Sequence, residues 1–437
     1  MARAEDWPQL QHDPARTGYT PEKVALPMQP AWRYDFKQFI SGRVQPIIAG
    51  GKVFIGVFDG QVHALDAGKG TLLASFQTGG PILHSPAVQG DTLYVGSQDG
   101  KLYALTIAAD SLTLKWAFVT GAGVWTSPLV YKGNVYFGSR DNTFYAVDPA
   151  GKELWHYATG GPILNSAATD GTRIYFASED MNAYALDLSG KLAWQYKLNG
   201  ASAGDYWPVV SHGTVIFRTQ PPYTGGPNRT SEIGKMKGDP SDPAVQTAYK
   251  TAILDTLAKD PFAKTCFALD SATGKERFVF PVLYVGGCGN VAIPPPVDPD
   301  GNAYIYTFNP IKQGLGHESG SYTLANLETG QFGDVVPTPE YTKGKIEWIH
   351  DETNPLTLAG GTIFWAHMHG KFGYLDPATK TAQTFTGDAY KLLPRQRTRT
   401  APNCTGVAIA DGLAYWTFGG VLYAMKTGHA QPITEGK

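Results

Sequence analysis

The sequence predicts an all-β fold, an eight-bladed β-propeller whose blades are four-stranded antiparallel sheets. Three observations predict it: a repeated four-strand pattern, a turn residue that recurs once per repeat, and an N-terminal segment resembling the outer strand of a blade. The composition agrees with them. Of 437 residues, 51 are glycines, 12% are aromatic and 17% are charged, which is typical of short strands, tight turns and aromatic packing.

The repeated pattern begins with a Pro or a small residue and an apolar run, turns at a Gly, and continues in an aromatic-rich strand. Clear copies occupy residues 81–105, 124–148 and 162–187. Each copy divides into four short strands separated by turn residues. Self-similarity of this kind indicates a repeat architecture in which each unit buries its apolar surface against its neighbours.

The residue at the turn before each fourth strand gives the number of blades. Eight such residues follow one another along the chain: Asp66, Thr106, Asp148, Asp187, Asp270, Glu328, Asp376 and Lys426. The long interval from Asp187 to Asp270 holds one blade, because its strand-like sequence is confined to residues 204–220 and 266–280. The blades are therefore expected to start near residues 43, 81, 124, 162, 204, 284, 346 and 399.

Residues 219–265 interrupt the fifth blade and are expected to form an insertion that contains one helix. The sequence Ser241-Asp242-Pro243 is typical of a helix start, since a capping side chain there is followed by a Pro in the first turn. The expected apolar face of this helix consists of Val245, Tyr249, Ala252 and Leu257.

The eighth blade lacks a convincing fourth strand, and the N-terminus supplies one. Residues 31–37 resemble the fourth strands that begin at Leu154 and Ala193. We expect them to complete the eighth blade, which closes the ring and removes its exposed sheet edges. The chain then consists of an N-terminal extension, residues 1–29, and one propeller, residues 30–437.

A tryptophan motif recurs with the blades. It reads Ala146-Val-Asp148-Pro-Ala-Gly-Lys-Glu-Leu-Trp155 and returns at 185–194. The motif resembles the docking repeat of the PQQ-type (quinoprotein-like) family, found in quinoprotein dehydrogenase propellers and BamB-like proteins. The resemblance covers blades 1–5 well and blades 6–8 loosely. It implies that each Trp docks between blades, and it does not by itself imply a PQQ cofactor.

Charge and hydropathy limit the compartment and the partners. A net charge of −2 and a pI near 6.6 give no overall attraction to nucleic acid. No apolar stretch is long enough for a membrane helix, and residues 1–7 contain no hydrophobic secretion segment. The protein is therefore either cytosolic or a secreted protein whose signal sequence has been removed. We expect the second, a periplasmic or secreted monomer with a small-molecule or glycan ligand.

Long irregular loops gather on one face of the predicted ring. This upper face carries the turns between strands 2 and 3 and the links between blades, and its long segments are 219–265, 283–290, 308–321 and 386–400. Long loops on a rigid scaffold usually carry function. The inner strands begin there with Arg43, His84, Trp125, Asn165, Tyr206, Asn290, His350 to Asn354 and Asn403-Cys404. Such convergent side chains predict a binding site.

An anionic carbohydrate cleaved by lyase-like chemistry is the leading functional hypothesis. A lyase needs a base, an acid and a cation that neutralises a uronate carboxylate. The base is His350 or His84, the acid is Tyr206, and the cation is Arg397 or Arg399, which alternate along one extended segment. The remaining substrate-binding candidates are Trp125, Asn165, Arg140, Trp207 and His317.

Histidines and cysteines suggest two further features. His367 and His369 lie two residues apart on one strand face, a spacing that suits metal ligands or acid–base groups. Cys266 starts a strand at the upper face of blade 5 and Cys288 lies in the next blade link, so a disulfide between them is a candidate that only geometry decides.

Two alternative functions stay open. The first is a PQQ-dependent dehydrogenase, for which Trp125 or Trp207 would stack on the cofactor, with Ca²⁺ beside it. The resemblance implies a Glu/Asn/Asp calcium set and adjacent cysteines, and neither is evident in this sequence. The second is a BamB-like, non-catalytic protein-interaction scaffold. Its repeat type and length favour it, whereas the elaborate upper face and the missing lipid-anchor Cys oppose it.

Overall fold

The fold is seen in a computed structural model of the chain. It describes residues 6–204, 206–220, 242–282, 293–308, 320–335, 355–367, 371–376, 378–379, 381–386 and 406–428. Two strands precede the first blade, β1 (Tyr19–Thr20) and β2 (Met28–Asp35).

The first four blades are regular. Blade 1 contains β3 (Ile47–Ala49), β4 (Lys52–Gly56), β5 (Gln61–Asp66) and β6 (Leu72–Gln77). Blade 2 contains β7 (Ala87–Gln89), β8 (Thr92–Ser97), β9 (Lys101–Ile107) and β10 (Leu112–Val119). Blade 3 contains β11 (Leu129–Tyr131), β12 (Asn134–Gly138), β13 (Thr143–Val147) and β14 (Glu153–Ala158). Blade 4 contains β15 (Ala168–Thr169), β16 (Arg173–Ser178), β17 (Asn182–Asp187) and β18 (Leu192–Lys197).

The second half of the chain departs from the regular four-stranded blade. Blade 5 contains β19 (Val209–Ser211), β20 (Thr214–Arg218), helix α1 (Pro243–Lys259), a 3-10 turn (Pro261–Ala263), β21 (Cys266–Asp270) and β22 (Glu276–Phe278). Blade 6 contains β23 (Asn302–Phe308), β24 (Gly320–Asn326) and β25 (Phe332–Val335). Blade 7 contains β26 (Thr357–Ala359), β27 (Thr362–His367), β28 (Lys371–Asp376) and β29 (Thr381–Thr386). Blade 8 contains β30 (Ala408–Ala410), β31 (Leu413–Phe418) and β32 (Val421–Thr427).

The sheets confirm the eight-bladed propeller. In each blade, strands that are consecutive in sequence pair antiparallel from the inner strand to the outer one. The N-terminal strand β2 pairs with β32 as the outer strand of blade 8, from Met28 opposite Thr427 to Asp35 opposite Val421. The closure predicted from residues 31–37 is therefore confirmed. The strand begins earlier than predicted because Pro30 lies on an edge strand, where it removes no ladder hydrogen bond.

The core lies between the blades rather than at the centre of the ring. Apolar side chains from facing sheets pack together, as where Phe144 of blade 3 stacks on Phe176 of blade 4 with ring centroids 4.1 Å apart. Each blade therefore buries apolar surface against its two neighbours, and Trp7 and Leu10 of the N-terminal segment join these clusters.

The tryptophans dock between blades, as the repeat predicts. The Trp155 ring of blade 3 lies against Gly190 of blade 4, where a Cβ would come within 2.6 Å of the indole. Its Nε1 donates to the carbonyl of Leu188 at 3.0 Å. Gly190 has φ +88°, a conformation that also favours glycine. The same arrangement joins Trp116 to Pro149 and Gly151, Trp194 to Ser271 and Gly274, and Trp32 to Ala67 and Gly70.

Aspartates in the upper turns of blades 2, 3 and 4 tie each of these blades to the link before it. Asp99 accepts hydrogen bonds from the Gly79 N–H at 3.0 Å and from the Tyr103 hydroxyl at 2.5 Å. Burial, with the Asp99 hydrogen bond second, raises the pKa of Tyr103 to about 12, so the phenol stays a donor. The next two blades repeat these contacts through Asp141 with Gly121 and Tyr145, and Asp180 with Gly160 and Tyr184.

Helix α1 starts where the sequence predicts. The Asp242 carboxylate accepts a hydrogen bond from the Ala244 N–H at 2.8 Å and so caps the helix. The buried side chains are Tyr249, Ile253 and Leu257, so the buried face is centred on Ile253 rather than on Ala252. Within the described residues, no helix has the length and apolar content to cross a bilayer.

Candidate functional site

Polar side chains begin the inner strands at the upper mouth of the channel. His84, Asn165 and Tyr206 occupy equivalent positions in blades 2, 4 and 5 and are 5%, 3% and 2% exposed. In blade 3 this position belongs to Thr126, whose hydroxyl donates to the Gly138 carbonyl. The sequence pattern predicts Trp125 at this position, but Trp125 precedes it by one residue.

Arg43 and Tyr206 meet across the mouth. The guanidinium carbon of Arg43, in the link to blade 1, lies 4.2 Å from the centroid of the Tyr206 ring in blade 5. Blades 1 and 5 stand opposite each other in a ring of eight. A cation over an aromatic face contributes about 0.5–2 kcal/mol, and more when water is excluded. The Arg43 side chain thus spans the mouth, and its positive charge lies on the Tyr206 ring.

A second cation–aromatic pair lies on the rim beside blade 3. The exposed Arg140 guanidinium carbon lies 5.2 Å from the centroid of the Trp125 ring. The Trp125 Nε1 is buried and has no hydrogen-bond partner among the described residues. A buried indole N–H normally finds an acceptor, and the Arg140 guanidinium lies over the ring of this indole rather than beside its N–H.

The turns of the upper face position these side chains. Glu179 accepts hydrogen bonds from the Ser202 hydroxyl at 2.8 Å and from the Gly204 N–H at 3.1 Å, and so holds the link that leads into Tyr206. Gln98 occupies the equivalent turn of blade 2 and donates to the Val124 carbonyl at 3.3 Å. Arg140 takes the same turn position in blade 3, and its side chain instead covers Trp125.

Hydroxyl groups connect the inner strands just below the mouth. The Ser85 hydroxyl accepts from the Gln45 N–H at 2.7 Å, and the Ser166 hydroxyl accepts from the Ser127 N–H at 2.9 Å. These contacts satisfy backbone donors on the free edges of inner strands, which face the channel. The Ser127 hydroxyl itself is fully buried and has no partner among the described residues.

The N-terminal segment closes the lower end of the channel. Trp7 exchanges two backbone hydrogen bonds with Ile48. The segment then follows the inner strands round the ring and accepts their N–H groups: Val88 to Pro8, Thr169 to Pro14, Val210 to Ala15, Val297 to Thr17, and Leu358 to Gly18. The bonded residues lie four or five positions beyond the mouth residues, at most about 18 Å deeper.

Arg16 locks this segment in place. Its guanidinium is fully buried and donates to the carbonyls of Ala167 at 2.9 Å, Leu10 at 2.7 Å and Pro128 at 3.3 Å, and to Gln9. Burial lowers the pKa of Arg16 to about 9 and the charge of Asp13 opposes this, so the side chain remains a cation at neutral pH. Sequence reasoning assigned no role to this residue.

Several predicted site residues lie outside the described part of the chain: His317, His350, His369, Arg397 and Arg399. The backbone of His367 ends strand β27, and its side chain is not described. Trp207 is 5% exposed and belongs to an apolar cluster with Leu10. Asn165 accepts a hydrogen bond from the Ala177 N–H at 3.3 Å, which holds its own blade together.

The predicted metal and disulfide sites stay predictions. Within the described ranges, no three His, Cys, Asp or Glu side chains are grouped closely enough to hold a metal ion, and the proposed His369 ligand is not among them. Cys266 is buried and forms no disulfide with a described residue, while Cys288 lies outside them. Burial raises the pKa of the Cys266 thiol, against the opposing charge of Arg218.

Sequence comparison places the ring in a family. A sequence model described as outer membrane protein assembly factor BamB matches residues 29–167 and 140–277, together more than half of the 437 residues. The chain belongs to this PQQ-type repeat family. No curated protein matches the chain.

Solved structures of low identity share the fold of this family member. The crystal structure of BamB from Moraxella catarrhalis superposes with a TM-score of 0.57 and 14% identity, covering 93% of this chain and all of that one. Quinohemoprotein alcohol dehydrogenase from Comamonas testosteroni superposes with a TM-score of 0.65 and 14% identity, covering 98% of this chain and 82% of that one. The computationally designed Ika8 protein superposes with a TM-score of 0.60 and 12% identity, covering 91% of this chain and 99% of that one.

The described residues do not fit a PQQ–calcium site. A planar cofactor needs an open aromatic face, but Arg140 covers the Trp125 ring and Trp207 packs within the core. The described carboxylates also do not gather into a cation site. No reaction step is therefore assigned to this cofactor.

Proposed function

We propose that the upper mouth of the channel binds an anionic carbohydrate. The observation that carries this proposal is the Arg43 guanidinium lying on the Tyr206 ring across the mouth. Carboxylates accept charge-assisted hydrogen bonds from guanidinium groups, and each guanidinium here is held in position by the ring on which it lies. A uronate unit supplies such a carboxylate. The Arg140–Trp125 pair on the same rim repeats this combination of charge and ring.

The proposal assigns binding and no cleavage step. A general acid or base must come within hydrogen-bond distance of the proton that it transfers. His84 and Tyr206 are 5% and 2% exposed, and the alternative base His350 lies outside the described residues. The predicted lyase chemistry therefore stays a prediction, while a binding role needs only the positive charges at the mouth.

Titration calorimetry with a panel of uronate oligosaccharides tests the proposal. We expect the native protein to bind uronates and not neutral oligosaccharides of equal length. Replacing Arg43 with Gln should raise Kd about tenfold, because a hydrogen bond between charged groups contributes about 1.5 kcal/mol. The matched control is Arg33→Gln, at an exposed position on the outer strand of blade 8, which should leave Kd unchanged. Equal affinity for neutral and acidic sugars would contradict the proposal.

A non-catalytic protein-interaction scaffold is the second candidate. The family match favours it, because the matching family is described as an outer membrane assembly factor. The upper face also presents Phe39 and Phe58, which are 44% and 48% exposed and pack edge to face at 6.0 Å. For either function we propose an extracytoplasmic location. Cross-linking from a photoreactive group at position 58 tests the scaffold: a discrete protein adduct supports it, and unmodified monomer contradicts it.

A further inference from the structure

A cavity opens on the lower face of the ring, opposite the upper mouth. Its volume is about 500 Å³, and it lies where the N-terminal segment meets blades 3, 4 and 5. Tyr131, Asp170 and Ser211 line it from the turns between the first and second strands of these blades, and Asp13 lines it from the N-terminal segment. Cavities of this size hold small-molecule ligands.

The N-terminal segment gives this lower cavity an apolar floor. The Thr169 N–H donates to the Pro14 carbonyl at 2.8 Å, and the Val210 N–H donates to the Ala15 carbonyl at 3.1 Å. All four residues line the cavity. Because two blades hold Pro14 and Ala15 in place, the floor can pack against methylene groups of a ligand.

Asp13 brings one carboxylate to the cavity. It accepts hydrogen bonds from the N–H and the hydroxyl of Thr17, which are neutral donors. The buried Arg16 guanidinium donates to three backbone carbonyls and to Gln9. Its charge therefore acts on Asp13 only at longer range, and Asp13 forms no ion pair with a described residue.

Asp170 brings a second carboxylate to the neighbouring turn. It accepts hydrogen bonds from the Tyr175 hydroxyl at 2.7 Å and from the N–H groups of Thr172 and Arg173 at 2.8 Å. Burial opposes ionisation, but these hydrogen bonds outweigh it and lower the pKa of Asp170. The Arg173 guanidinium donates to the Thr172 hydroxyl rather than to this carboxylate.

A nearly buried hydroxyl lines the same cavity. Ser271 is 8% exposed, and its carbonyl accepts hydrogen bonds from the Tyr175 hydroxyl and the Trp194 indole, both at 3.0 Å. Docking of blade 4 on blade 5 thus fixes this residue. The Ser271 hydroxyl forms no hydrogen bond with a described residue, and it is not among the side-chain atoms that are sealed from solvent. A bound water or ligand accounts for a group of this kind.

An aromatic wall completes the cavity. The Tyr131 hydroxyl lies against the turn of blade 4, where a Cβ on Gly171 would come within 2.6 Å of it. The exposed Lys132 ammonium lies 5.2 Å from the centroid of the Tyr131 ring. This wall therefore accommodates an aliphatic ammonium group.

We propose that the lower cavity binds a small aliphatic amine, with its ammonium group donating to the Asp13 and Asp170 carboxylates and to the Ser271 hydroxyl. An ammonium group has three donors, and the methylene groups of the amine would pack on Pro14 and Ala15. A hydrated metal ion would gain nothing from this apolar floor. The site lies on the opposite face from the upper mouth, so it stands independently of the proposed carbohydrate site.

Calorimetry with putrescine at low ionic strength tests the proposal on the intact protein. We expect one putrescine to bind per protein, because its ammonium groups meet two carboxylates that lack ion pairs. Its uncharged diol analogue, which has the same length, should not bind. Equal binding of the diol, or no binding of putrescine, would overturn the proposal. Neither result affects uronate binding, which is measured separately.

Three variants locate the binding. Asp13→Asn and Asp170→Asn each remove one charge at nearly constant shape and should raise Kd about tenfold. Ser271→Ala removes a hydroxyl that bonds to no described residue, so it should keep native stability and raise Kd about threefold. The control is Asp110→Asn, at an exposed position in a lower turn of blade 2, which should bind as the native protein does. Thermal unfolding verifies that each variant folds, and native affinity in the folded aspartate variants or in Ser271→Ala would overturn the proposal.

Discussion

Single residues hold the blades together by complementary shape. The indole of Trp155 lies where a side chain on Gly190 would otherwise stand, and its N–H donates to Leu188. The glycine and the tryptophan therefore belong to one contact, although they come from different blades. Loss of either member should weaken the same interface, because neither can be replaced without leaving a void or a clash.

Truncation of a docking tryptophan should be costly. Trp155→Ala is expected to lower the free energy of unfolding by about 2–4 kcal/mol, through lost packing and an unpaired Leu188 carbonyl. Urea denaturation measures the change. Leu154→Ala is the neighbouring control: its side chain is 46% exposed, and it should cost less than about 0.5 kcal/mol. Similar losses from both variants would contradict the docking role.

Low pH should weaken the aspartate-containing turns of the tryptophan motif. The hydrogen bond from the Ser189 hydroxyl lowers the pKa of Asp187, partly opposed by burial and assisted by the backbone N–H groups of Lys191 and Ser189. A lowered pKa means that the folded state favours the carboxylate. Its contribution is complete above about pH 4 and is lost as the pH falls further. Asp187→Asn should reduce stability at pH 7 and flatten the loss of stability between about pH 5 and pH 2.

The measurement for this acid effect is the urea midpoint as a function of pH. The exposed Asp110 provides the comparison, since Asp110→Asn should leave both the midpoint at pH 7 and the acid limb unchanged. If the Asp187→Asn variant lost stability with falling pH as steeply as the native protein, this turn would not contribute to unfolding in acid.

At the scale of elements, local sequence determines the strands because each blade repeats the same sequence pattern. Alternating apolar residues, Gly turns and the Asp–Trp motif are all local, and they predicted the blades and the outer strand β2. One departure is informative. Blade 1 carries Ala74, opposite Ala64, where blades 2, 3, 4 and 8 have Trp, and the matching turn of blade 2, residues 106–111, contains no Gly. Docking residues are thus present or absent in pairs.

The channel floor could not be predicted from sequence. Residues 7–18 follow no repeat and no periodicity, and their hydrogen bonds reach inner strands that lie far away in sequence, from Ile48 of blade 1 to Leu358 of blade 7. Gln11, His12 and Arg16 adopt φ values of 57°, 75° and 62°, which non-glycine residues adopt only when tertiary contacts hold them. Likewise, the contact between Arg43 and Tyr206 depends on the ring placing blade 1 opposite blade 5, which no local pattern encodes.

At the scale of the whole molecule, closure of the ring depends on one strand from the other end of the chain. Trp32 of β2 donates to the Ala67 carbonyl at 2.9 Å and packs on Gly70, which joins blade 8 to blade 1. Trp32→Ala should therefore accelerate unfolding more than Trp155→Ala does, since it opens the seam where the chain ends meet. Stopped-flow unfolding measures both rates, and equal acceleration would argue against a special role of the seam.

The N-terminal segment closes the lower end of the ring, and two cation–aromatic pairs lie at the upper mouth. The most direct test of the proposed binding site is a crystal structure of the protein with a uronate trimer. We predict electron density for a uronate unit at the upper mouth, with its carboxylate within hydrogen-bond distance of the Arg43 guanidinium. Density confined to the lower face or the outer strands, with an empty mouth at saturating ligand, would contradict it.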